Sequence, residues 1–139
     1  MDVYVATEER CPNHADFKKL FDKYTSEISR DLIVYQNKIS NYDGNENLPP
    51  IDWIGGPVEM MFIDCGRTIE ANQAWYDAFS RAFVPGKTLL IMQDWRLHRE
   101  LPFKWYNQTH QFTESKGASL RLIHEVSDGG VAAFLFEGP

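Results

Sequence analysis

The sequence has few cysteines and no long apolar segment. The 139 residues include only 2 cysteines, Cys11 and Cys65, which lie far apart and outside any CxxC spacing. This argues against a zinc site or a disulfide framework and favours reduced thiols. No apolar run is long enough to span a bilayer, and the N-terminal MDVYVATEER has no secretory signal pattern. We therefore predict a cytoplasmic protein with no membrane partner.

Clusters of basic residues are also lacking. The chain has 14 Lys and Arg against 20 Asp and Glu, a formal net charge of -6. An acidic chain without basic clusters disfavours binding to a phosphate backbone, so we predict no nucleic-acid partner. Hydrophobic residues make up 43% of the chain and charged residues 24%, which is typical of a globular domain. The length suits one hydrophobic core, so residues 1–139 are predicted to form a single domain.

Motifs of several enzyme classes are missing as well. Gly86-Lys87-Thr88 resembles the end of a phosphate-binding loop, but Arg81 stands where the first glycine belongs. The chain has no GxGxxG and no GxSxG, and its histidines lack the HExxH spacing. These absences disfavour a phosphate-loop enzyme, a serine hydrolase and a zinc protease.

The N-terminal part contains an alternation of apolar and amphipathic segments. Residues 3–6 and 32–35 are predicted strands, and a helix is predicted to begin near Asn13. A polar loop rich in Asn and Pro follows, over residues 41–57.

The central part contains two continuous apolar runs, VEMMFID at 58–64 and TLLIMQD at 88–94. Runs without alternation are typical of parallel strands buried on both faces. Between them, Thr68 is predicted to cap a helix that ends at Pro85-Gly86. A right-handed crossover through this helix would make the two strands parallel.

The C-terminal third carries a hairpin signal. Residues 95–116 are predicted to be helical in part, and then SLRLIHEV and VAAFLFEG flank Asp128-Gly129-Gly130. The whole order predicts an α/β fold with an open, mostly parallel sheet and an antiparallel hairpin at one edge.

A carboxylate follows each of the two central strands. Asp64 and Asp94 would both lie at carboxyl ends, where open α/β sheets bind their ligands. Two neighbouring carboxylates repel, so one must be protonated, be paired with a base, or share a cation such as Mg²⁺. The alternative is that Asp64 caps the next helix and Asp94 begins a loop.

Basic and aromatic side chains follow the second of these strands. They are Trp95, Arg96, His98, Arg99, Trp105 and Tyr106. Such residues can line a pocket for an anionic or aromatic substrate. The alternative, which we favour, is an amphipathic helix that buries Trp105 and Phe112 and leaves Arg96 and Arg99 in solvent.

The run MMFIDCGRTIEANQAWYDAFSRAFVPGKTLLIMQDW, residues 60–95, resembles the second half of class I S-adenosylmethionine-dependent methyltransferases, especially the metal-dependent O-methyltransferases and their antibiotic-sugar relatives. In that family a strand ending in IDG or IDA is followed by a helix, a P-G turn and a strand ending in DD or DN. Asp64 matches the first acidic position, and Gln93 and Asp94 match the terminal pair. The C-terminal hairpin is similar to the family's reversed last strand.

The resemblance implies a Rossmann-like methyltransferase sheet, a small-molecule substrate, and S-adenosylmethionine and Mg²⁺ as cofactors. It implies that Asp64 and Asp94 are catalytic and that Asp64, Gln93 and Asp94 hold the metal. The implied cofactor contacts are Glu8 or Glu9 with the ribose, Asn37 near the adenine, and Asp64.

The chain also departs from the family. Gln93 replaces an expected acid, and Cys65-Gly66-Arg67 replaces the usual continuation after the first strand. The family's first strand and glycine-rich loop should precede residues 3–6, where this chain begins. That strand lies in mid-sheet, beside the strand at 58–64. Three outcomes are possible. The chain is a fragment of a longer protein, or the strands at 3–6 and 58–64 pair directly, or another chain fills the gap between them in a homodimer.

Two functional hypotheses follow from these features. The first is an enzyme that transfers a methyl group from S-adenosylmethionine to a substrate hydroxyl with the help of a divalent metal. The second is a methyltransferase-like domain without catalysis that serves as a binding or assembly module. The carboxylate pair favours the first, and the missing glycine-rich loop favours the second.

Overall fold

The structure is a computed structural model. Apart from Lys23 and Arg99, the residues that it describes are 51–65, 67–96, 107–126 and 130–139. The chain divides into a unit of residues 2–37 and a unit of residues 38–139 together with Met1, and the helices and strands given below all lie in the second unit.

Some predictions concern residues outside this described part. They are the strands at 3–6 and 32–35, the helix near Asn13, and the cofactor contacts at Glu8 and Asn37. These stay predictions, and so does the single domain over residues 1–139.

A sheet of four strands and two helices form the described part of the fold, which is of the α/β class with an open sheet. In chain order the elements are β1 (Met60–Ile63), α1 (Ile69–Phe79), β2 (Leu89–Gln93), α2 (Gln108–Ser115), β3 (Leu120–Glu125) and β4 (Val131–Phe136). The strand order is β1-β2-β4-β3. The two predicted central strands, the helix between them and the C-terminal hairpin strands are therefore present, with shorter bounds than predicted.

The directions of the strands follow from their register. Strands β1 and β2 are parallel, with Met60 paired to Leu89 and Ile63 to Met92. Strand β4 is antiparallel to both β2 and β3. The mostly parallel sheet that we predicted is not confirmed, because two of the three pairings among the described strands are antiparallel. The hairpin turns β4 back into the sheet, and it pairs with β2 as well as with β3.

Helix α1 begins where the sequence indicated. The hydroxyl of Thr68 accepts a 3.1 Å hydrogen bond from the backbone N–H of Ala71, which is the usual arrangement at a helix N-cap. The turn before β2 contains Gly86 with φ 71, a backbone conformation that favours glycine. No helix in the described part of the chain is long and apolar enough to cross a membrane.

Both helices pack on one face of the sheet. Trp75 in α1 is fully buried, and its ring centroid lies 5.5 Å from that of Phe112 in α2. From the sheet, Leu90 and Met92 are fully buried on the same side. Removing one large apolar side chain of this kind from water contributes about 1.5–3 kcal/mol, so this layer contributes much of the stability.

Strand β1 is not buried on both faces, and that prediction is wrong. Met60 is 64% exposed and Phe62 48%, whereas Ile63 is 3% exposed. Successive side chains of a strand point to opposite faces, and only one face of β1 packs into the helical layer. A continuous apolar run therefore did not distinguish a central strand from one with an exposed apolar face.

Candidate functional site

Two aspartates follow neighbouring parallel strands at the same edge of the sheet. Asp64 comes directly after β1, and Asp94 comes directly after β2. Because Ile63 pairs with Met92, the two strands end almost level. The predicted position of both aspartates at the carboxyl ends is therefore found, while their chemical roles stay predictions.

The backbone at Asp94 turns sharply out of the strand. Its φ is 57, in the left-handed region, which Asp tolerates better than most residues. Its N–H donates a 2.7 Å hydrogen bond to the carbonyl oxygen of Gly130, which precedes β4. The side chain is 19% exposed. Asp94 thus begins a turn, as one of the two alternatives expected, and its position is held from the neighbouring strand.

The carboxylate of Asp94 is paired with a base. Nη2 of Arg67 donates a 2.8 Å hydrogen bond to Oδ2 of Asp94. Protonation, pairing with a base and a shared cation were the three ways to relieve repulsion between the carboxylates. The structure shows the second of them at Asp94. Asp64 is half-buried, and the cap of α1 is Thr68 rather than Asp64. The alternative in which Asp64 caps this helix is therefore wrong.

The N-terminus of α1 is closed by side chains of the protein itself. The N–H of Ile69 donates a 3.0 Å hydrogen bond to Oε1 of Gln108, at the start of α2. The N–H of Ala71 binds Thr68, as described above. These amides, which could otherwise bind an anion, are already satisfied. The contact with Gln108 also fixes the start of α2 at this edge of the sheet.

The segment after Asp94 carries a second ionic group. Arg96 Nη1 lies 3.2 Å from both carboxylate oxygens of Glu125, and Arg99 Nη1 lies 2.8 Å from one of them. The guanidinium of Arg96 also stacks 4.2 Å from the ring centroid of Trp95. Neither arginine is simply solvated, contrary to the favoured alternative. Phe112 is buried, as that alternative predicted. His98, Trp105 and Tyr106 lie outside the described residues.

A divalent metal was expected between Asp64, Gln93 and Asp94. Their oxygens are the ligands that Mg²⁺ prefers. As the side chains stand, however, they do not fit such an ion, because the guanidinium of Arg67 already occupies a position against Asp94. Among the described residues there is also no group of three or more His, Cys, Asp or Glu suited to a metal. The metal site stays a prediction.

Two residues of this edge were not singled out from the sequence. Arg67 was noted only as a departure from the family pattern, and Gln108 was not considered. A basic residue in the loop between a strand-end carboxylate and a helix cap is a signal that points to Arg67. Gln108 has no comparable signal, because its partner Ile69 lies 39 residues away in the chain.

The described residues also form an open groove of about 590 Å³. Its lining includes Trp53, Pro57, Phe83 and Val84. These residues precede β1 and β2, so the groove lies at the amino ends of the parallel strands. It is separate from the edge that carries Asp64 and Asp94.

Comparison with models of known families, with curated proteins and with solved structures gives no match for this chain. The class that fold and site define is an open α/β sheet with an ionic cluster at its carboxyl edge.

Proposed function

We propose that the chain is a S-adenosylmethionine-dependent methyltransferase-like protein that transfers a methyl group to a substrate hydroxyl. The observation that carries this proposal is the pair of adjacent parallel strands, β1 and β2, that end in Asp64 and Asp94. Ligands of open α/β sheets bind at this edge.

Strand β4 supports the same family. It is the last strand of the chain and runs opposite to its neighbours β2 and β3, as the family's reversed last strand does. Strands β1, β2 and β3 consequently share one direction. This pattern favours a Rossmann-like methyltransferase sheet.

The reaction would use the carboxylates as follows. S-adenosylmethionine bound at this edge would supply the methyl group to the hydroxyl oxygen, its sulfonium would leave as a neutral thioether, and the hydroxyl proton would pass to a base of the protein. A carboxylate at the edge would accept the hydroxyl proton, and Asp64 is the candidate because it directly follows β1 at this edge. The edge would also hold the two reactants in line. Glu8 and Asn37 belong to the proposal as cofactor contacts.

Calorimetric titration with S-adenosylhomocysteine, with and without Mg²⁺, tests the proposal. We expect a dissociation constant in the micromolar range, which corresponds to a binding free energy of about −8 kcal/mol. Asp64→Asn tests the carboxylate, and Arg121→Gln at the start of β3 is a control for charge far from the edge. If no heat is detected either with or without Mg²⁺, the proposal is overturned.

A second candidate is a methyltransferase-like assembly module, which the exposure of Met60 and Phe62 favours. A second copy of the chain that packs against this exposed apolar face of β1 would form a homodimer. Sedimentation measurements on the protein and on Met60→Ser/Phe62→Ser test this. A dimer that the double substitution dissociates supports the module, whereas a monomer at all concentrations contradicts it.

A further inference from the structure

Among the residues that the structure describes, Arg67 is the basic side chain that forms an ion pair with Asp94. Its side chain is 57% exposed, while that of Asp94 is 19% exposed. The bond between Arg67 and Asp94 is the one hydrogen bond that the described residues give this guanidinium. Because a guanidinium carries five N–H donors, most of its donors are available to a ligand.

Both partners of this ion pair are held by secondary structure. Arg67 immediately precedes Thr68, which caps α1. Asp94 immediately follows β2 and is fixed by its backbone hydrogen bond to Gly130. The pair therefore joins the start of a helix to the end of a strand at the edge where ligands of this fold class bind.

We propose that Arg67 takes the place that the family resemblance gives to a divalent metal. The guanidinium offsets the charge of Asp94, and its remaining donors bind an anionic oxygen of the ligand, such as a carboxylate or an ionised hydroxyl. The edge then binds its ligand without a metal. This inference rests on the proposed function for the location of the site, but not for the identity of the cofactor.

Electrostatic repulsion from Arg67 lowers the affinity of Asp94 for a second cation. A divalent ion bound to Asp94 would lie within a few ångströms of a permanent positive charge, because arginine does not lose its proton in proteins. Gln93, which stands where the family pattern has an acid, also removes a negative charge from the residue before Asp94. Both changes lower the affinity for Mg²⁺ in the same direction.

Calorimetric titration with MgCl₂ alone tests the inference. We expect Arg67→Gln to bind Mg²⁺ about tenfold more tightly than the unsubstituted protein, because a repelling charge is removed and a carboxylate is released. Adding Asp94→Asn to this variant should abolish the gain. Arg121→Gln is the matched control, since it removes the same charge at the opposite end of the sheet, where Arg121 pairs with Leu135.

Arg67→Lys keeps the charge and should leave the affinity for Mg²⁺ unchanged. The inference is overturned if Arg67→Gln gains no affinity, or if the unsubstituted protein already binds Mg²⁺ with a dissociation constant below about 1 mM. The second criterion needs no variant and holds even if a substitution prevents folding. Lack of binding to S-adenosylhomocysteine would overturn the proposed function but would not alter this comparison.

Discussion

The indole Nε1 of Trp95 donates a 2.9 Å hydrogen bond to the hydroxyl oxygen of Thr113. Trp95 follows Asp94 at the end of β2, and Thr113 lies in α2, so the bond ties the second helix to the edge that carries the candidate site. Trp95 is 3% exposed and Thr113 5%. The ring centroid of Trp95 also lies 5.3 Å from that of Phe134 in β4.

Thr113→Val should destabilise the protein by about 1–3 kcal/mol, because it leaves the buried indole N–H without an acceptor. Urea unfolding measures the loss. Thr113→Ser is the control, since it keeps the hydroxyl and removes only a methyl group. If Val and Ser at this position cost the same, the hydrogen bond contributes little. A double-mutant cycle with Trp95→Phe should then show no coupling either.

The cap of α1 is a second point on which stability depends. Thr68→Ala should lower the free energy of unfolding by about 1 kcal/mol, because the N–H of Ala71 loses its acceptor. Thr68→Ser should stay close to the unsubstituted protein. Thermal unfolding followed by circular dichroism compares the three. Equal melting temperatures for the Ala and Ser variants would show that water replaces the cap.

The elements that were predicted correctly have local signals. Thr68 before an amphipathic run indicates the start of α1, and Gly86 marks the turn before β2. The sequence Asp-Gly-Gly between two β-prone runs indicates that β3 and β4 pair. In each case the physical preference acts within a few residues, so it can be recognised without knowledge of the rest of the fold.

What was missed depends on contacts between distant segments. A hairpin signal does not say that β4 will also pair with β2, which determines how many pairings are antiparallel. A continuous apolar run does not say which face is covered, so the exposure of Phe62 was not foreseen. The partner of Asp94 is Arg67, 27 residues away in the chain, and this spacing has no recognisable pattern.

The stability of the protein should fall at alkaline pH through Tyr76. Burial, and then the nearby charge of Asp77, raise the pKa of this tyrosine above its ordinary value of 10.0. A raised pKa means that the folded state holds the proton more tightly than the unfolded state does. The stabilisation is therefore complete below pH 10.0 and is lost as the pH rises through the pKa of the folded state.

Tyr76→Phe should consequently show a shallower loss of stability above that pH, measured by urea unfolding at a series of pH values. Asp77→Asn should lower the pKa of Tyr76 only in part, because burial is the larger cause. Ultraviolet titration of the tyrosinate band, as the difference between the protein and Tyr76→Phe, gives this pKa directly. An ordinary tyrosine value in that difference spectrum would contradict the prediction.

The loop before β1 allows a sharp test of close packing. A Cβ added at Gly55 would lie 2.4 Å from Cζ2 of Trp53, whereas one added at Gly56 would have nothing within 4 Å. Neither glycine has a positive φ, so left-handed backbone strain does not arise at either position. Gly55→Ala must therefore displace the indole, which donates a 2.9 Å hydrogen bond to the carbonyl of Gly56 and packs against Phe79.

We expect Gly55→Ala to cost about 1 kcal/mol of stability and Gly56→Ala to stay within about 0.5 kcal/mol of the unsubstituted protein. Labelling the 4 tryptophans with fluorine gives one resonance each, and the Trp53 signal alone should shift in Gly55→Ala. The signal is assigned with Trp53→Phe. An unchanged Trp53 resonance would mean that the ring does not lie over Gly55. Because the groove before β1 and β2 is lined in part by Trp53, a shift would also show that this indole shapes the groove.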